Sequence, residues 1–247
     1  MIKMYLKNLI ENKFTLVSSA ALVLIPYYTW KTLYYSYKSL RNEYEDEILF
    51  QKRHNCVVMY TENKGMSGWP PHTGRVKLDI NKKNSLDTLH EPILYFINTA
   101  KKSLDIAFML LDVNSIYMAL KRAHERGIKL RILLNYDHCE SRLVEIKNLA
   151  KEGIEVLTYI SHKPGLSSIM HYKFMVKDYT EYGGFVLTGS LNLSKSAFLN
   201  NYEDVVFISN QYVAKAFYQT FEECWNYIKV DNECLINKTV LLDTNLP

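Results

Sequence analysis

The stretch "KSLDIAFMLLDVNSIYMALKRAHERGIKLRILLN", Lys102 to Asn135, decides the fold. Its opening, through Leu111, is an apolar run of strand length. "VNSIYMALKRAHERG" reads as a helix, with Asn114 in position to cap it and Gly127 to stop it. "IKLRILLN" is a second apolar strand. The pattern then repeats, with "ESRLVEIKNLAKEG" as a helix and "IEVLTYI" as a strand. Strand, helix, strand, helix, strand with short connections predicts an α/β fold, a mostly parallel central sheet flanked by helices.

Working outward, the loop "SHKPGLSS" leads into "IMHYKFMVKD", Ile169 to Asp178, a strand of aromatic and β-branched residues that also carries ionisable groups. "EYGG" is a turn, "FVLTG" and "YEDVVFIS" are strands, and "QYVAKAFYQTFEECWNYI" is an amphipathic closing helix. On the other side, "CVVMYT" is a strand and "ENKGMSGWPPHTG" is a loop by its Gly and Pro content. A helix is expected from about Pro92, in its first turn, to Ala100. The predicted organisation is an N-terminal segment (1–13), a membrane anchor (14–31), a helical stalk (32–54), a catalytic domain (55–230) and a polar tail (231–247).

The anchor rests on "FTLVSSAALVLIPYYTW", Phe14 to Trp30, about seventeen residues without a charge between Lys13 and Lys31. That is the lower limit for a spanning helix, with Tyr27, Tyr28 and Trp30 placed as interfacial residues. A cleaved signal peptide fits less well, because its small-residue site "SSA" falls inside the apolar run. A buried core helix would also carry a more polar face. Basic residues flank both ends, so charge does not set the orientation.

The chain of 247 residues has a net charge of +4, mildly basic, which suits a polyanion or an anionic membrane surface. Cys56, Cys139, Cys224 and Cys234 stand far apart, without a C-x-x-C pair, and read as free thiols in a reducing compartment. Cys56, His54, His72 and His90 lack the paired spacing of a structural zinc site, so no metal is expected.

The chemistry centres on Ile169–Asp178. Side chains alternate along a strand, so His171 and Lys173 share a face, while in an unbroken strand Asp178 points to the other. Downstream, "TGSLNLS" sets Gly189, Ser190 and Asn192 after a strand as backbone, hydroxyl and amide donors for an anion. "NNYED" then brings Glu203, of the type that orients an imidazole. Lys163, Arg142 and Lys195 are candidates for lining a groove along a nucleic-acid backbone.

H-x-K-x-x-x-x-D followed by G-S-x-N and then Glu resembles the phospholipase D superfamily, the HKD phosphodiesterases. One motif per chain behind an N-terminal anchor is similar to its Zucchini or mitochondrial phospholipase D-like branch. That resemblance implies an outer mitochondrial membrane protein with its catalytic domain in the cytosol. It implies either a single-strand endoribonuclease of piRNA biogenesis or a cardiolipin hydrolase. A non-catalytic membrane scaffold is the alternative of another class. Carried over by residue, His171 is the nucleophile and Lys173 and Asn192 bind phosphate. Ser190 assists, Glu203 orients a histidine, either its own chain's or one across a dimer, and Asp178 is a structural carboxylate.

Two lysines with nearby donors neutralise a phosphodiester, so the reaction requires no metal or other cofactor. A leaving alkoxide needs a proton, and the chain has a single H-x-K. A symmetric homodimer, with His171 and Lys173 of each chain facing one another, supplies the second imidazole. The expected partners are therefore a second copy, single-stranded RNA or a phospholipid, and a membrane.

Overall fold

The structure, a computed structural model, describes residues 4–5, 7, 12–72, 74–77, 85–161 and 168–234. The chain forms two units, residues 1–50 and 51–247.

Helix α1 (Lys13–Arg53) runs for 41 residues, so the expected anchor and stalk are one element. Asn12 caps it, accepting from Thr15 N through Oδ1 at 3.3 Å. Arg41 and Glu45 pair one turn apart at 2.9 Å. The expected membrane-spanning helix is not shown: no described helix is long and apolar enough to cross a membrane. Seventeen uncharged residues rise only about 26 Å, against about 30 Å of hydrocarbon. Ser18, Ser19, Tyr27 and Tyr28 further dilute the run.

The second unit holds, among the described residues, an eight-stranded sheet. Its strands are β1 (Cys56–Thr61), β2 (Gly65–Ser67), β3 (Ser103–Phe108), β4 (Lys129–Asn135), β5 (Glu155–Tyr159), β6 (Lys173–Thr180), β7 (Gly183–Gly189) and β8 (Glu203–Ser209). Their order is β2-β1-β8-β7-β6-β3-β4-β5. Only β3, β4 and β5 pair in parallel; every other pairing is antiparallel. The sheet is therefore mixed, not mostly parallel. Two residues, Glu181 and Tyr182, separate β6 from β7, and a connection that short joins only antiparallel strands.

The helices are α2 (Ser85–Asn98), α3 (Asn114–Glu125), α4 (Leu143–Lys151), α5 (Lys195–Leu199) and α6 (Gln211–Cys234). Helix α2 starts well before Pro92, which sits inside it, because Leu89, Ile93, Phe96 and Ile97 form one buried stripe. Asn114 is the first residue of α3 and not its cap. Val113 takes that position in extended conformation, without a side-chain bond. Strand β2 lies within the expected loop.

Alternation in the strands sorts two cores. Ile106, Phe108, Ile132, Leu134 and Met175 pack with α2, α3, α4 and α5. Ala107, Leu133, Phe174 and Val176 pack under Phe221, Trp225 and Ile228 of α6. Arg131 fastens α6 to the sheet: its Nε donates to Asp105 Oδ1 at 2.7 Å and it pairs with Glu222 at 2.6 Å.

Candidate active site

The site forms where the parallel strands end and β6 begins. Phe108, the last residue of β3, pairs with Lys173, the first of β6. Beyond β6, Phe174 pairs with Thr188 of β7, and Gly189 pairs with Val205 of β8. Three elements thus deliver His171–Lys173, Gly189–Ser190 and Glu203 to one end of the sheet. A cavity of about 380 Å³ opens there, lined by His171, Lys173, Thr188, Gly189, Ser190 and Phe217.

His171 is exposed just ahead of β6, and its segment is held by Met109 N, which donates to Tyr172 O at 3.0 Å. Lys173 Nζ lies 3.1 Å from His171 Nε2 and donates to His171 O at 3.2 Å. With the ammonium as donor, Nε2 carries the lone pair and Nδ1 the proton. Burial lowers the Lys173 pKa, and the Glu203 carboxylate opposes that shift.

Glu203 accepts from the Ser190 hydroxyl and, at 2.8 Å, from Asn201 Nδ2. Within one chain it therefore orients Ser190, not an imidazole. Ser190 N and Leu191 N both donate to Asp204 O, at 3.1 and 3.4 Å, so these amides are not free for an anion. Gly189 serves that turn by close approach: a Cβ there would stand 2.1 Å from Asp204 O. Asn192 Oδ1 is buried without a hydrogen-bond partner among the described residues.

Asp178 lies at the far end of β6. Its carboxylate accepts from the backbone amides of Lys101, Lys102 and Ser103, the shortest at 2.6 Å, and ties the start of β3 to β6. The strand is broken here, so simple alternation does not set the direction of Asp178. The β6–β7 register shifts between Lys177 and Thr180, and Asp178 has φ of 53°.

Of the groove candidates, Arg142 is engaged by Asp112 and, at 2.8 Å, by Glu145, so its charge is largely neutralised. Arg142 and Lys195 line one cavity, separate from that of His171. Lys163 lies outside the described residues.

Two clusters escaped sequence reasoning. Lys177 is fully buried, with Nζ 2.5 Å from His54 Nε2 and 2.8 Å from Thr99 Oγ1. Phe96 and Phe185 flank its ammonium at 4.4 and 4.9 Å. His90 Nδ1 and Ser115 Oγ are 3.0 Å apart. His54 and His90 are thus held in separate contacts, and no group of three or more His, Cys, Asp or Glu gathers among the described residues. The equal spacing of Lys173 and Lys177 from Met175 was visible in sequence, but not which of them is buried.

The family model described as "Cardiolipin synthase, PLD-like domain" matches residues 93–225, which include His171, Lys173, Asn192 and Glu203. The chain belongs to the phospholipase D-like family. A protein called mitochondrial cardiolipin hydrolase from Xenopus laevis is 26% identical over 78% of this chain and 82% of its own length. One from Xenopus tropicalis is 30% identical over 56% of this chain, and the match spans 62% of that protein. Among solved structures, the phospholipase D family member Nuc from Salmonella typhimurium is 28% identical, with a TM-score of 0.48. That match covers 54% of this chain and 84% of Nuc.

Proposed function

We propose that this phospholipase D-like chain is a single-strand endoribonuclease that leaves 5′-phosphate ends, of the kind that serves piRNA biogenesis, and that it works as a symmetric homodimer. The observation that carries the reading is the contact of Lys173 Nζ with His171 Nε2 in an open cavity. A phosphodiester entering there competes for the ammonium through a non-bridging oxygen, which frees the Nε2 lone pair. Nε2 then attacks phosphorus, and the bond to the 3′ oxygen breaks. The alkoxide takes a proton from the imidazolium of His171 in a second copy. Water next attacks the phosphohistidine, gives its proton to that second imidazole, and releases the 5′-phosphate. Lys173 and Asn192 neutralise the phosphoryl oxygens. Ser190, fixed by Glu203, assists.

Attachment to the mitochondrial outer membrane, with the second unit facing the cytosol, belongs to the same reading. Leu22, Val23 and Ile25 of α1 are all more than 60% exposed, which suits insertion into a membrane surface. The relatives' names include "mitochondrial".

A phospholipid substrate such as cardiolipin is the second reading. A mostly apolar cavity of about 360 Å³, lined by Ile169, Met170, Cys224, Tyr227 and Ile228 with Glu223 as its one acidic group, begins at the residue before His171 and suits an acyl chain. The deciding experiment incubates the full chain with labelled single-stranded RNA and with cardiolipin vesicles, in EDTA, beside His171→Ala. RNA cut to 5′-phosphate ends by the wild type alone supports the nuclease. Lipid turnover with intact RNA transfers the assignment to the second reading.

A further inference from the structure

Another cavity, of about 310 Å³, opens where α2, the start of α3 and the start of α5 meet. It has no lining residue in common with the catalytic cavity, but one loop joins the two. The loop from Ser190 to Lys195 runs from one to the other, and Asp112 N fixes it by donating to Leu193 O at 2.8 Å.

The lining is polar but balanced in charge. Asp87 and Asp112 are offset by Arg142 and Lys195, and Arg142 already holds Asp112. His90 and Ser115 are linked at 3.0 Å. Burial lowers the His90 pKa, against the opposing charge of Asp87, so the imidazole is neutral at pH 7. When Ser115 donates to Nδ1, Nε2 carries a proton, and the serine oxygen keeps its acceptor capacity. Three chemistries compete for such a space. A phosphate would meet two carboxylates. An acyl chain would strip water from Asp87, His90 and Ser115 without replacing its hydrogen bonds. A nucleoside, uncharged and edged with donors and acceptors, satisfies them.

We infer that this cavity binds the nucleoside flanking the scissile phosphate of a single-stranded nucleic acid, with Asp87 and the His90–Ser115 pair reading its hydrogen-bonding edges. The inference rests on the nuclease reading of the neighbouring site and adds base selectivity to it. Lys195, exposed at the rim, faces the next phosphate along the strand.

The test uses the full chain, Asp87→Asn and His90→Gln. Each is assayed on labelled single-stranded RNA of mixed sequence, with cut sites mapped, and on bis(4-nitrophenyl) phosphate, a diester that carries neither a ribose nor a base edge. Asp87 is exposed, so its variant tests the proposal without disturbing the core. The expected result is a fall in kcat/KM on RNA about tenfold larger than on the small diester, about the worth of one good hydrogen bond. Base preference at the cut site flattens in parallel. Equal losses on both substrates, or an unchanged cut-site map in both variants, would overturn the subsite. A wild type that hydrolyses the small diester or lipid vesicles but leaves RNA intact overturns the nuclease reading, and the subsite with it.

Discussion

Lys173 Nζ stands 3.1 Å from His171 Nε2, and the nearby Glu203 carboxylate raises a pKa that burial has lowered. The ammonium must stay charged to hold a phosphoryl oxygen. The rate therefore falls as pH rises through the Lys173 pKa, and that limb lies below the ordinary lysine value of about 10.4. Glu203→Gln removes the opposing charge, so its alkaline limb moves to lower pH. Profiles of kcat/KM against pH for wild type and Glu203→Gln check this; superimposable limbs would remove Lys173 from the chemistry.

Gly189 is where β7 and β8 come closest to the site. A methyl group there meets the Asp204 carbonyl at 2.1 Å, and neither partner is a movable side chain. Gly189→Ala therefore pushes apart the strands that carry Ser190 and Glu203. The expected outcome is a loss of activity of about 10²-fold with small-diester substrates, in line with misplacement by about 1 Å. Near-wild-type turnover would mean that the Ser190–Glu203 pair contributes little.

Asp178 holds three backbone amides with one carboxylate, at a left-handed position that asparagine also tolerates. Asp178→Asn keeps the backbone and weakens the acceptor, at a cost of about 1–2 kcal/mol. Asp178→Ala adds the strain of positive φ and the loss of every side-chain bond, about 3–4 kcal/mol in all. Urea denaturation of both variants measures the two steps. Equal midpoints for wild type and Asp178→Ala would show that the amides find water instead.

These positions mark what could be read from residues alone. The strand–helix alternation from Lys102 to Tyr159 was legible because it lies in the period of apolar residues, a local property. The antiparallel half was less so, although the short "EYGG" turn after β6 already forbade a parallel β6–β7 pair. The bulge after Lys177 and the engagement of Arg142 by Asp112 depend on partners distant in sequence: Lys101–Ser103 for Asp178, and the connection between β3 and α3 for Arg142. No periodicity encodes them. His171 and Lys173 were legible because two residues apart on a strand is close in any fold. The contact of Glu203 with Ser190 was not, since the β7–β8 register sets it.

Lys177 gives the protein a pH-dependent stability separate from its activity. Its ammonium is sealed beside His54 and Thr99 between two phenylalanine rings, with Asp178 favouring the charge and Lys101 opposing it. Burial brings its pKa down to about 7. In the unfolded chain a lysine titrates at about 10.4. Between those values the unfolded state binds the extra proton, so stability rises with pH, by up to about 1.4 kcal/mol per unit. Below about pH 7 both states are protonated, and the full penalty of the buried charge is present. Urea midpoints measured from pH 6.5 to 9.5 should therefore climb, in buffers of about equal ionic strength. Lys177→Met removes the titrating group and flattens the climb, whatever it does to stability at one pH. A wild-type midpoint that stays level across that range, or a climb that survives in Lys177→Met, would place the source of pH dependence elsewhere.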